Sequence, residues 1–276
     1  MTLSTSAIRV GVGGWTFEPW RDNFFPKGLA HKKELEYASR QLTAIEVNGT
    51  YYSTMKPASF KKWHDETPDG FMFSLKASRY STNRRVLGEA GESITRFVNS
   101  GIGELGKKLG PIVWQFAPTK QFEAEDFEAF LALLPKEADG NKLRHVLDVR
   151  HESFKSPDYL KLARKYKCAT VFTDSDTFPS FADLTSDFVY ARLMRSEEKV
   201  ETGYPAKVLD QWAEAAQIWA KGGEPESLPR IEAIGKAAKP RDVFVYFING
   251  AKERAPAGAQ ALLARLGFKP SEAGAL

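Results

Sequence analysis

Eight short β-rich runs punctuate the chain, and most are followed by a stretch with helical periodicity. That alternation specifies parallel β/α units and argues against sandwiches and helical bundles. The runs fall at 8–12, 43–47, 71–76, 111–116, 144–150, 169–173, 188–193 and 242–247. Helical patterns occupy 31–41, 58–66, 91–109, 125–134, 157–166 and 205–220, and one at 257–266 closes the series. Eight β/α units need roughly 250 residues, so a 276-residue chain is expected to be one α/β domain, a single (β/α)8 TIM-like barrel spanning 1–276.

The competing architecture is a doubly wound open sheet, which should carry a glycine-rich phosphate turn after its first strand. The first run leads into GVGGWTFEPW, which lacks the last glycine of G-x-G-x-x-G and enters aromatics instead of a helix. The closed barrel is therefore preferred. Two connections read as irregular. Residues 174–187, rich in Ser, Thr, Pro and Asp, are too short for a full helix, and 222–240 reads as a surface insertion with one short helix.

Composition narrows the function classes. A formal net charge of +4 is far below that of a polybasic binder. The one cysteine, Cys168, excludes an intrachain disulfide and fits a reducing cytoplasm. No run approaches the roughly 18 apolar residues of a membrane span, and residues 1–12 lack a targeting pattern, so no membrane association is expected.

Barrel chemistry sits at the C-terminal ends of strands and in the loops that follow. The polar and aromatic residues there are Trp15, Glu46, Asn48, Tyr52, Lys76, Arg79, Arg84, Gln115, Asp148, Arg150, His151, Asp174, Arg192, Arg195 and Asn249. Residues two apart on a strand share a face, so Glu46 with Asn48 and Asp148 with Arg150 can both point to the axis. Charges there are costly unless paired, which predicts an ion network among Glu46, Asp148, Lys76, Arg150 and Arg192 even without a function. The cations outnumber the acids, which favours an anionic partner such as phosphate or carboxylate. Aromatics crowd the loop after the first strand (Trp15, Phe17, Trp20, Phe24, Phe25), either as a stacking platform or as a cluster pinning the loop.

Four histidines (His31, His64, His145, His151), only the last following a strand end, cannot build a His-rich zinc site. Mg²⁺ on Glu46, Asp148 and Asp174 is the alternative metal reading, and neither metal nor cofactor is expected in the leading one. Cys168 opens the sixth strand at the wrong end for a nucleophile. Acid/base work by Glu46 or Asp148, with Tyr52 as a hydroxyl donor, is the better expectation.

Several segments, in order, give the chain a family resemblance: GVGGWTFEPWRDNFFP, IEVNGTYYS, FMFSLKASRYSTNRRVL, LGPIVWQFAP, LDVRHESF, DFVYARLM and VFVYFINGAKERAPAGAQALLARL. Along nearly its whole length the chain resembles the DUF72 family of YecE-like proteins. The resemblance implies a TIM-like barrel and no established reaction. It carries the family's mouth pattern onto Trp15, Trp20, Glu46, Asn48, Tyr52, Lys76, Gln115, Arg150, His151, Arg192 and Asn249. Departures are Asp148 for a usual Glu, Phe154 for Trp, Met194-Arg195 for His-Gly, Thr82-Asn83 for Thr-His, and Ile248-Asn249 for paired Asn. Two family histidines are thus absent from the mouth.

The leading expectation is a metal-independent hydrolase, lyase or isomerase, or a protein derived from one, acting on an anionic, phosphorylated small molecule. Arg150, Arg192 and Lys76 would clamp the anion, and Trp15 with Tyr52 would pack the organic part. A nucleic-acid-binding or repair-related barrel is the second reading, drawn from basic loops with aromatics. A catalytically silent scaffold is the third.

Overall fold

The computed structural model describes residues 8–235 and 239–270. Eight parallel strands close into a barrel: β1 (Ile8–Gly13), β2 (Ala44–Val47), β3 (Met72–Lys76), β4 (Leu109–Gln115), β5 (His145–Asp148), β6 (Ala169–Thr173), β7 (Phe188–Leu193) and β8 (Asp242–Phe247). Each pairs with its sequence neighbours, and β8 closes on β1. The main helices are α1 (Glu34–Gln41), α2 (Pro57–Glu66), α3 (Gly91–Val98), α4 (Ala124–Ala132), α5 (Pro157–Lys165), α6 (Ala206–Ala220) and α7 (Ala255–Arg265). Helix α5 shows the local logic: Ser156 Oγ accepts the Tyr159 amide at 3.2 Å, Pro157 opens the first turn, and Arg164 and Lys165 close the last.

Strand alternation divides the apolar residues into two layers. Val10, Val12, Ile45, Phe73, Leu75, Ile112 and Leu147 face the helices in the large outer core. Ala44, Met72, Val113, Val146, Val171, Phe188, Tyr190, Phe244 and Tyr246 fill the barrel interior. Each fully buried large side chain contributes roughly 1.5–3 kcal/mol. Gly11 has no alternative at its position, because a Cβ there would lie 1.8 Å from the Ala44 carbonyl oxygen of the adjacent strand.

Three expectations change. The helix expected over 91–109 ends at Val98, and a 3-10 stretch, Ile102–Lys108, follows. Between them Gly101 takes φ of +100° and lies so close to Pro57 that a Cβ would be 2.7 Å from it. No helix forms among the described residues of 222–240. That segment is instead held by the Asp183 carboxylate, which accepts the Ile231 and Glu232 amides, each at 2.9 Å. The fifth strand stops at Asp148, so Arg150 lies just past its end.

The N-terminal end of the barrel is a closed base. Arg144 donates to Asp242 at 2.8 Å and lies 4.9 Å from the centre of the Phe244 ring. Buried His145 accepts from Trp114 Nε1 at 3.0 Å through Nδ1, and its Nε2 lies 2.7 Å from the Pro135 carbonyl oxygen. With one nitrogen accepting and the other facing a carbonyl, the ring is fixed as the neutral Nε2–H tautomer.

Candidate functional site

Register brings the charged residues to one level. Glu46 stands beside Ser74 of β3, Arg192 beside Thr173 of β6 and Tyr246 of β8, and Asp148 beside Gln115 of β4. Arg192 is the hub, fully buried with all three nitrogens committed. Its Nε and Nη2 donate to Glu46 Oε2 at 2.9 and 2.7 Å, and its Nη1 donates to Asp148 Oδ2 at 2.5 Å. Tyr190 Oη adds a third donor to Glu46 Oε2 at 2.6 Å. Tyr246 Oη and Ser74 Oγ, from the strands beside Arg192 and Glu46, hydrogen-bond each other at 2.7 Å.

Arg150 reaches Asp148 Oδ2 through Nε at 3.1 Å and Nη2 at 2.9 Å, and Gln115 Oε1 through Nη2 at 3.0 Å. Its guanidinium lies 4.6 Å from the centre of the Phe178 ring. Among the described residues Nη1 donates to nothing. Lys76 Nζ stands 3.8 Å from Glu46 Oε1 and 5.8 Å from the centre of the Tyr51 ring. That oxygen of Glu46 is buried without a hydrogen-bond partner. The network expected from the sequence, Glu46, Asp148, Lys76, Arg150 and Arg192, is thus joined in one cluster.

Burial and charge set the protonation states. Burial alone would raise the Asp148 carboxyl, but Arg192 and Arg150 outweigh it and hold the group below the usual carboxylate range. Burial, reinforced by Arg192 and Arg150 against the pull of Glu46 and Asp148, brings the Lys76 ammonium down to about 8. Asp174 lies outside the cluster, accepting from the Met194 amide at 2.6 Å and Tyr204 Oη at 2.7 Å. Burial raises its carboxyl despite those bonds. Among the described residues no group of three or more His, Cys, Asp and Glu is placed to hold a metal, so Glu46, Asp148 and Asp174 do not gather for Mg²⁺.

The remaining expected residues lie outside the bonds of this cluster. Trp15 packs edge-on against Trp63 at 5.2 Å and lines a cavity of about 340 Å³ with Asn48, Phe17, Met55 and Lys252. Trp20, Phe24 and Phe25 form the buried pinning cluster, with Trp20 Nε1 donating to the Lys252 carbonyl at 2.9 Å. Tyr52 points outward, 64% exposed, and it is Tyr51 that lies over Lys76. Arg79 is exposed beside Tyr80, 5.4 Å from its ring centre. His151 Nδ1 accepts the Ser153 amide at 3.2 Å, and Asn249, exposed, holds a left-handed φ of 65°. Arg195 pairs with Asp176 at 3.2 Å. Trp63, Met55, Lys252, Phe178 and Tyr190 were not expected at the site.

A barrel with a charged cluster sealed beneath its C-terminal mouth is the class of protein these features define. The chain belongs to the family described as "Protein of unknown function DUF72", which matches residues 9–275. A solved DUF72 family protein from Thermotoga maritima superposes with a TM-score of 0.72 at 21% identity, covering 95% of this chain and 99% of that one, a likeness of fold. The UPF0759 protein YecE of Escherichia coli is 25% identical over 150 residues, 53% of this chain and 50% of YecE. The UPF0759 protein YunF of Bacillus subtilis is 24% identical over 122 residues, 40% of each chain. The matched stretches therefore span half or less of these curated relatives. Among the described residues no helix is long and apolar enough to cross a membrane.

Proposed function

We propose that the barrel mouth binds a small anionic molecule bearing phosphate or carboxylate, and that the chain acts on it by moving a proton without a metal. One observation carries the reading. In the cluster three cations (Lys76, Arg150, Arg192) face two carboxylates (Glu46, Asp148), leaving one positive charge in excess, and Arg150 at the mouth keeps Nη1 uncommitted. Burial leaves that charge weakly screened, and guanidinium suits phosphate and carboxylate geometry. Arg150 is then the clamp, and Arg192 positions both carboxylates. Asp148, held ionised, is a fixed counter-charge, so proton movement passes to Lys76, with the uncommitted oxygen of Glu46 beside it. Trp15 and its cavity accommodate the organic part.

Calorimetric titration with inorganic phosphate tests this. Saturable binding is expected, weakened at least about tenfold by Arg150→Met, the loss of one charged hydrogen-bonding partner. Equal binding by the variant, or none by the unaltered protein, would count against it.

A second reading, nucleic-acid binding, draws support from the rim. Tyr52 and Tyr80 are 64% and 61% exposed there. Arg84, Arg85 and Lys120 line a neighbouring cavity of about 560 Å³. Exposed aromatics interleaved with cations suit single strands, whose binding weakens steeply as salt rises. A flat salt response with a single-stranded oligonucleotide would eliminate this reading.

A further inference from the structure

We infer that Lys76 is an imine-forming nucleophile, and that the anionic molecule taken by the mouth carries an aldehyde or ketone. The inference rests on the anion-binding reading above and names its substrate class.

The geometry around Nζ differs from that of an ammonium serving only as a counter-ion. Such a group closes to roughly 2.7–2.9 Å on its carboxylate. Lys76 Nζ instead stops 3.8 Å from Glu46 Oε1, beyond hydrogen-bond reach, although that oxygen is buried and unpartnered. The same carboxylate spends its other oxygen on Arg192 and Tyr190. The amine is thus left without a hydrogen-bonded acceptor beside a carboxylate oxygen near enough to exchange protons with a group bound on Nζ, and the Lys76 side chain keeps 13% exposure.

The protonation state fits. With its pKa brought down to about 8, about a quarter of Lys76 is free amine at pH 7.5, against roughly a thousandth for an ordinary lysine near 10.4. Desolvated lysines beside other cations are the activated form used for carbonyl substrates. Arg192 and Arg150 are the cations that help lower this one.

The step balances without an outside reagent. Nζ attacks the carbonyl carbon, the C–N bond forms as the C–O π bond breaks, and one of the two protons on the now cationic nitrogen passes to the oxygen by way of Glu46 Oε1, giving the carbinolamine. Glu46 Oε1 then takes the remaining nitrogen proton and delivers it to the hydroxyl, which leaves as water as C=N forms, so that the carboxylate ends as it began. Arg150 holds the anionic end of the molecule meanwhile.

Glyoxylate, a small anionic aldehyde, is the probe, with sodium borohydride to reduce any imine and peptide mass mapping to place the adduct. At pH 7.5 Lys76 should be labelled at least about tenfold faster than the exposed Lys207, the gain in free amine exceeding the fall in nucleophilicity. The rate should climb through about pH 8 to a plateau. Inorganic phosphate should slow labelling at Lys76 and leave Lys207 unchanged. Lys76→Arg should abolish the adduct at this position and leave the labelling rate of Lys207 unchanged. Labelling of Lys76 no faster than of Lys207, or an adduct on Lys252 in its place, overturns the inference, and phosphate binding lost in Arg150→Met would leave the anion reading standing. Rapid labelling by neutral glycolaldehyde without phosphate binding would sustain the amine chemistry and remove the anion.

Discussion

The two ends of the barrel hold similar residues and treat them differently. At the base, burial drives titratable groups out of the neutral range: the His145 imidazole down to about 4, and the Cys168 thiol, just before β6, up to about 12. At the mouth the same physical cause brings Lys76 into that range, to about 8. The base cations lie over Phe188 and Phe244, and their carboxylate, Asp242, is 41% exposed and can be hydrated. The mouth buries two carboxylates and bridges them through one guanidinium, with Tyr190 and Arg150 as further donors and Glu46 Oε1 left unpartnered. Burial at the base silences groups, while burial at the mouth leaves one poised.

The largest expected difference between the ends comes from removing each arginine hub. Arg192→Met strands Glu46 and Asp148 as buried charges without their main partner, a loss of about 3–5 kcal/mol. In a chain of this size that lowers Tm by on the order of 10 °C. Arg144→Met breaks a partly exposed pair and the guanidinium's contacts with the Phe188 and Phe244 rings, worth about 1–2 kcal/mol together. Thermal unfolding of both variants at pH 7 measures the contrast, and equal losses would break it.

Acid should single out the base. The folded pKa of His145, about 4, lies below the unfolded value near 6.5, so the unfolded chain takes up this proton first. Its contribution is therefore complete above about pH 6.5 and is lost as pH falls toward 4, a decline of about 3 kcal/mol. His145→Gln, which keeps a donor and an acceptor but does not titrate, should lack that decline in paired urea titrations at pH 6.5 and 4.5. Lys76 has the same sign on the alkaline side: its lowered folded pKa makes stability rise with pH between about 8 and 10.4.

Legibility in the sequence followed locality. Strand positions and the four cluster members that lie on strands, Glu46, Lys76, Asp148 and Arg192, could be read because a two-residue period on a short strand fixes the inward face. The break after Val98 could not, because Gly101 adopts its φ against Pro57, more than forty positions away in the chain. Trp63 reaches Trp15 from α2, and Phe178 lies beneath Arg150 from a loop with no period at all. Neither contact has a local signal. That Tyr51 rather than Tyr52 lies over Lys76 has no local signal either, because the two adjacent rings sit in a single helical turn, Gly49–Tyr52, whose orientation only the packing of that turn determines.

The smallest expected effect concerns the rim and separates its role from that of the cluster beneath. Arg79 is exposed and touches none of the five clustered charges, so Arg79→Ala should leave phosphate affinity and stability unchanged. If single-stranded nucleic acid tracks across the rim, Arg79 neutralises one phosphate, and its loss should reduce the slope of log K against log[salt] by about 0.7. A salt series with a short single-stranded oligonucleotide can resolve that change when the two proteins are measured side by side. A shifted slope with unaltered phosphate binding would make the rim a separate electrostatic surface. An unshifted slope would confine binding to the mouth, where Arg150 and Lys76 carry the charge.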